Sequence, residues 1–144
     1  MRKQKGFTLI ELVVVVMILG ILAAVAAPKL LNTSSTAADN GLKQTLGVVR
    51  DAVERYAAEH GGKLPGDAGT EADLKADLVP YLRGTFPKCP VAGTNDFIAI
   101  STTAGTTTVA DATKSWRYNN ADGTFICNST DQSKSDPGVS YDEF

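Results

Sequence analysis

MRKQKGFTLIELVVVVMILGILAAVAAP, residues 1–28, decides the architecture of this chain. Arg2, Lys3 and Lys5 stand before Gly6, and from Phe7 to Ala27 every residue is apolar or small except Thr8 and Glu11. A helix over that run rises about 30 Å, the hydrocarbon thickness of a bilayer. The basic flank predicts an N-terminus held in the cytoplasm and a remainder that is exported. Glu11 is the anomaly. A carboxylate inside a membrane segment costs a few kcal/mol or more, so it requires a partner.

Two simpler readings stand beside this one. A secretory signal peptide also has a basic start and an apolar core, and Ala24-Val25-Ala26 supplies a small-x-small site. A plain N-terminal membrane anchor explains the length of the run. Neither accounts for Gly6 beside Phe7, or for Glu11. Against a signal peptide count the early Glu11, the long apolar run and Pro28 close behind the candidate cut.

Gly6-Phe7-Thr8-Leu9-Ile10-Glu11-Leu12 resembles the cleavage and methylation motif of type IV prepilins and type II secretion pseudopilins. The resemblance is dense over residues 1 to about 31 and implies a specific set of roles. A prepilin peptidase would cut after Gly6 and methylate the new N-terminal residue, Phe7. Glu11 would meet the N-terminal amine of a neighbouring subunit as an inner-membrane assembly platform adds subunits to a filament. Gly20 and Pro28 would mark the helix kink and the segment that extends on assembly. The resemblance divides the chain into a leader (1–6), a transmembrane and filament-core helix (7–31) and an exported globular domain (32–144). The physics of Glu11 agrees with the borrowed role, because pairing it with the ammonium of another chain removes two unpaired charges together.

The whole chain carries 14 basic and 16 acidic residues, and loss of Arg2, Lys3 and Lys5 takes its net charge from −2 to −5. An acidic exported domain is a poor general binder of phosphates, so no nucleic-acid partner is expected. The exported part, near 110 residues, holds one small core and not two domains. Cys89 and Cys127 have the wrong spacing for a zinc site, which wants close ligand pairs. Export makes a disulfide between them the expectation, worth about 3–4 kcal/mol on chain-entropy grounds. Two free buried thiols are the alternative.

Along the chain, Asn32 to Asn40 is small and polar, yet the resemblance implies that one long helix runs through it. Leu42, Leu46, Val49, Val53 and Tyr56 recur at steps of four and three, an apolar stripe on a helix that ends at His60-Gly61-Gly62. Asp39/Lys43 and Asp51/Arg55 are pairs at spacing four. Thr70 before Glu71 and Asp73 predicts a helix start; Leu74, Leu78 and Val79 form its apolar face, and Pro80 stops it. Residues 81–90 read as an irregular connector, and the succession of Pro65, a short helix, Tyr81-Leu82 and a proline-rich turn is similar to the loop between helix and sheet in major pseudopilins and their relatives. Phe97–Ile100 reads as a strand and Thr106–Val109 as another. Residues 115–119, a turn at 120–123 and residues 124–128 read as a β-hairpin. Trp116, Tyr118, Phe125 and Cys127 alternate onto one face. The expected class is α+β: a pilin-like fold, a long helix against a small antiparallel sheet of three or four strands, with a loop-like and partly disordered tail after Ser129.

No enzyme motif emerges. His60, the only histidine, reads as a capping residue, and neither a G-x-S-x-G nucleophile nor a phosphate loop is present. No cofactor is expected, with one qualified exception. Major pseudopilins often hold calcium in a C-terminal loop, and Asp131, Asp136, Asp142 and Glu143 are oxygen donors in this tail, although their spacing is irregular. The sequence thus reads as a structural subunit of a type IV pilus-like or secretion pseudopilus filament. Its partners would be copies of itself, related pilins, the peptidase, the platform and, before assembly, lipid. It would span the inner membrane once with its domain in the periplasm, and then enter a filament. The rival reading is an exported binding or adhesion domain on a membrane anchor that never polymerises.

Overall fold

One helix, α1 (Leu9–Glu59), runs unbroken through the apolar segment, the small polar stretch and the amphipathic stripe of the computed structural model. The structure describes residues 7–105, 111 and 113–144. The chain divides into two compact units, Met1–Ser35 and Thr36–Phe144. In the first unit the described apolar side chains from Phe7 to Leu30 are exposed, Phe7 by 83%. The segment is long and apolar enough to cross a membrane. Pro28 lies inside α1, where it removes one main-chain hydrogen bond.

In the second unit the stripe behaves as its spacing predicts. Leu42, Leu46, Val49 and Val53 are buried, joined by Ala52. The helix ends where the glycines allow. Gly61 takes φ +66°, and the Gly62 N–H donates to Ala57 O at 2.7 Å, which closes a Schellman-type cap. A short helix, α2 (Glu71–Leu78), begins at Thr70, whose hydroxyl accepts from the Asp73 N–H. Leu74 and Leu78 are buried; Val79 is not, because the chain turns there into a single 3-10 turn, Val79–Tyr81. Lys75 ties α2 to the loop before the sheet through Asp96 at 2.7 Å, and Glu71 pairs with both Lys75 and Lys114.

The sheet has three strands in the order β1 (Ile98–Ser101), β2 (Trp116–Asn119), β3 (Phe125–Cys127). β2 and β3 form the expected antiparallel hairpin, Trp116 opposite Cys127 and Tyr118 opposite Phe125. All four of these side chains are buried, and they join the α1 stripe, Leu74, Leu78 and Ile98 in one core. The fold is therefore α+β as expected, but the sheet is mixed rather than antiparallel. β1 runs parallel to β2, Ile98 beside Trp116 and Ser101 beside Asn119. Parallel pairing needs a crossover of about a dozen residues, and the 102–115 connection supplies that length. The strand expected at Thr106–Val109 lies outside the described residues.

The tail also differs from expectation. Gln132 and Ser140 form an antiparallel bridge, and Tyr141–Glu143 makes a 3-10 turn closed by a capping box between Ser140 and Glu143. Tyr141 is buried against the core. Arg50, on α1, donates through Nε to Phe125 O at 3.1 Å and through a terminal guanidinium nitrogen to the main-chain oxygen of Phe144 at 2.5 Å. One cation thus fastens the hairpin and the tail to the same helix.

Candidate functional site

The first turn of α1 gives Glu11 a partner within its own chain. Its Oε2 accepts from the main-chain N–H of Thr8 and from the Thr8 hydroxyl, both at 2.9 Å, while the Glu11 N–H points to Thr8 Oγ1 at 3.3 Å. This is a capping box, and Thr8-Leu9-Ile10-Glu11 spells its sequence signature in front of an apolar run. Reading Glu11 only as a misplaced membrane charge misses it. The box satisfies helix-start N–H groups that lipid could not. Both bonds fall on Oε2; among the described residues Oε1 accepts no hydrogen bond.

Phe7 stands exposed immediately before this turn, and Gly6 lies outside the described residues. Gly20 is helical with nothing within 4 Å of a Cβ built there, so packing inside this chain does not demand a glycine. Pro28 sits further along the same helix. Phe7, Glu11, Gly20 and Pro28 therefore belong to one unpartnered apolar rod.

Cys89 and Cys127 are brought together in the second unit. Both are buried thiols, with Sγ atoms 3.7 Å apart. The two side chains expected to pair are thus adjacent in the fold, at a separation longer than the roughly 2.05 Å of a disulfide bond.

The acids of the tail are not gathered into a cation site. Asp142 pairs with Arg117 at 3.3 Å and accepts from Ser140 Oγ at 2.6 Å. Asp131 contributes its main-chain oxygen to the Tyr141 N–H, and the Asp136 N–H donates to Ser133 Oγ. Among the described residues no group of three or more histidine, cysteine or acidic side chains is placed to hold a metal.

The acid that organises the tail is Asp39, on α1, only 1% exposed. It does not turn to Lys43, which lies over the Phe144 ring at 4.2 Å. Asp39 Oδ2 accepts from Ser133 Oγ (2.7 Å), Ser135 N–H (2.8 Å) and Ser135 Oγ (2.5 Å); Oδ1 accepts from Tyr141 Oη (2.9 Å). Burial works to raise its pKa, but the hydrogen bonds from Ser135, Ser133 and Tyr141 together outweigh it and bring the carboxyl down to about 2. Sequence spacing could not show this, because the donors lie some hundred residues away.

His60 stacks on Tyr56 with ring centroids 3.9 Å apart, and its Nδ1 lies 2.8 Å from Tyr56 O. It is occupied at the helix end and faces no nucleophile among the described residues.

Comparison with known proteins meets this geometry at the same residues. A family model described as the prokaryotic N-terminal methylation motif matches residues 1–27. The prepilin peptidase-dependent protein D of Escherichia coli (strain K12) is 47% identical over 49% of this chain and 48% of its own length. The type II secretion system core protein G of Vibrio cholerae is 39% identical over 50% of this chain and 49% of its own. The chain thus spans about half the length of these two relatives. A longer match is to the type IV major fimbrial protein FimA of Dichelobacter nodosus, 32% identical over 93% of this chain and 94% of that protein. No solved structure matches. An apolar helix opening on a Thr8–Glu11 box, a small α+β unit on its second half and a full-length fimbrial relative lead to one conclusion: this chain belongs to the type IV pilin and pseudopilin family.

Proposed function

We propose that the protein is a filament subunit of a pilus or pseudopilus, cut after Gly6, N-methylated at Phe7 and polymerised through residues 7–31. The observation that carries this reading is the apolar rod. Its described apolar side chains from Phe7 to Leu30 are exposed in the single chain, and one acid stands near its start. Such a surface is satisfied by lipid before assembly and by other copies of the helix afterwards. Glu11 then has two duties. Oε2 closes the helix start, and Oε1 accepts from the methylated ammonium of a neighbouring Phe7, which removes two charges from an apolar setting at once. A prepilin peptidase and a membrane assembly platform are the partners this route requires, and the basic residues before Gly6 set the orientation, with the folded unit exported.

The intact mass and N-terminal residue of membrane-extracted mature protein test the proposal. An N-methylated Phe7 start is expected. A start at Ala27 would mean an ordinary secreted protein without a filament helix, and an uncut Met1 would leave a plain anchor. Glu11→Ala is expected to lower polymer yield or disturb subunit register. Filaments of unaltered yield and stagger would remove the intermolecular role of Glu11.

A further inference from the structure

We propose that a groove beside α1 is a docking site for an acidic peptide segment, one that carries an apolar side chain between its carboxylates. This inference does not depend on filament assembly.

The groove, about 500 Å³, lies between the second half of α1 and the connector that follows the 3-10 turn. Its floor is apolar: Ala52 closes the base, with Val48, Leu82 and Pro87 around it. Val48 stands off the α1 stripe and is 48% exposed, while its neighbour Val49 is wholly buried. Single apolar residues are ordinary on a surface. Here Val48 and Leu82 come from distant parts of the chain and meet in one concavity, which is the form of a binding surface.

Both walls are fixed before any ligand arrives. The Tyr81 hydroxyl donates to Glu59 and so ties the connector to the end of α1. Trp116 Nε1 holds Pro87 O at 3.0 Å from the core side. Between them the chain turns sharply: Leu82 N–H donates to Val79 O and Gly84 N–H to Leu82 O, both at 3.1 Å, and Gly84 takes φ +111°. A groove with anchored walls loses little freedom when it is filled.

Its charges are unspent. Arg55 lines the helix side and Arg83 the connector side, both exposed. Among the described residues neither forms an ion pair or a hydrogen bond. Asp51 shares the groove, yet it does not make the ion pair with Arg55 that their spacing suggests. Guanidinium groups match carboxylates in geometry as well as charge. Two of them over an apolar floor fit two carboxylates with an apolar side chain between. Gln44 and Thr85, whose side chains also have no partner among the described residues, add an amide and a hydroxyl for a peptide main chain. Asp51 reduces the local charge to +1, too little for the dense phosphates of a nucleic acid.

The test uses the full chain in zwitterionic detergent micelles. The probe is a fluorescein-labelled Gly-Glu-Leu-Glu-Gly peptide, with Gly-Lys-Leu-Lys-Gly as its counterpart. Anisotropy reads affinity, and amide shifts read the place. The acidic peptide is expected to bind at least about tenfold tighter than the basic one, and less well as salt rises from ~20 to ~200 mM. It should shift the amides of Val48, Ala52 and Arg83. Arg55→Glu and Arg83→Glu should each weaken it at least about fivefold, whereas Asp51→Asn should tighten it about twofold. Damage to the fold does not produce effects of opposite sign. Equal binding of the two peptides, indifference to charge reversal, or shifts confined to residues 7–30 would each overturn the proposal. So would self-association that Arg83→Glu abolishes and the acidic peptide does not compete with, because the groove would then belong to a second copy. The comparison of the two peptides on the wild type decides it even if a variant fails to fold.

Discussion

Two lengths of α1 meet the problem of apolar surface differently. From Leu9 to Leu30 the helix is apolar on nearly every side, and Leu12, Val16, Leu19 and Leu22 are all exposed within the chain. From Leu42 to Val53 the apolar residues keep to one stripe and are buried by the sheet, α2 and the tail. A stripe is completed by its own chain. A cylinder that is apolar all round is not, and its burial must come from lipid or from other chains. The arrangement of apolar residues around the helix, more than their number, separates what folds in one chain from what is satisfied between chains.

The strongest way to break this contrast is to truncate one side chain on each side of it. Trp116 is fully buried, 5.1 Å from the Phe125 ring, with Nε1 donating to Pro87 O. Trp116→Ala is expected to cost about 3–5 kcal/mol, read from urea unfolding by circular dichroism. Leu19→Ala, also the loss of an apolar side chain, is expected to leave the unfolding midpoint of the Thr36–Phe144 unit unchanged and, on the proposed function, to lower polymer yield. Equal destabilisation by both variants would erase the distinction between the two lengths.

Oxidation of the thiol pair comes next in size and bears only on the folded side. The bond would close a loop of nearly 40 residues, and on chain-entropy grounds it should add about 3–4 kcal/mol. Unfolding midpoints with and without reductant measure it. A midpoint indifferent to reductant would remove the cysteines from the stability of this unit.

Asp39 sharpens the contrast from the polar side, because it is a buried charge answered wholly within the chain. Its carboxyl titrates near 3.8 in an unfolded chain and at about 2 in the fold. The charged form is the one the fold favours. That contribution, about 2 kcal/mol, is complete above pH 4 and falls away as pH drops towards 2. Asp39→Asn should flatten stability against pH over that interval and loosen the tail, seen as faster amide exchange at Ser135 and Tyr141. A variant with an unchanged acid profile would show that the hydroxyl cage does not set this titration.

These residues also mark how far the sequence could be read. The apolar rod, the α1 stripe, the Gly61 cap, the Thr70 cap and the Trp116–Cys127 hairpin all follow from local rules: period, capping residue and alternation. The parallel entry of β1 does not, since strand direction depends on where a long connection returns. The ordered tail was illegible for a similar reason. Its anchors, Asp39 and Arg50, read locally as surface charges on a helix, and their partners are far along the chain. At the site, Glu11 was conspicuous as a charge among apolar residues, and that prominence hid the simpler pattern it makes with Thr8.

That pattern gives the smallest expected effect and the finest division of the rod from the folded unit. If the Thr8–Glu11 box starts the helix, Thr8→Ala removes a cap worth about 1 kcal/mol, while Thr8→Ser retains the hydroxyl. Amide exchange in micelles should then quicken at Ile10 and Glu11 in Thr8→Ala and stay near wild type in Thr8→Ser. Amides from Leu42 to Val53 should not change in either variant, because their helix is held by the core and not by its first turn. Unaltered exchange at Ile10 and Glu11 would mean that the box contributes nothing to the helix start. Glu11 would then be left wholly to a partner outside its own chain, and the rod would be a segment whose polar requirement, like its apolar one, is met only from outside that chain.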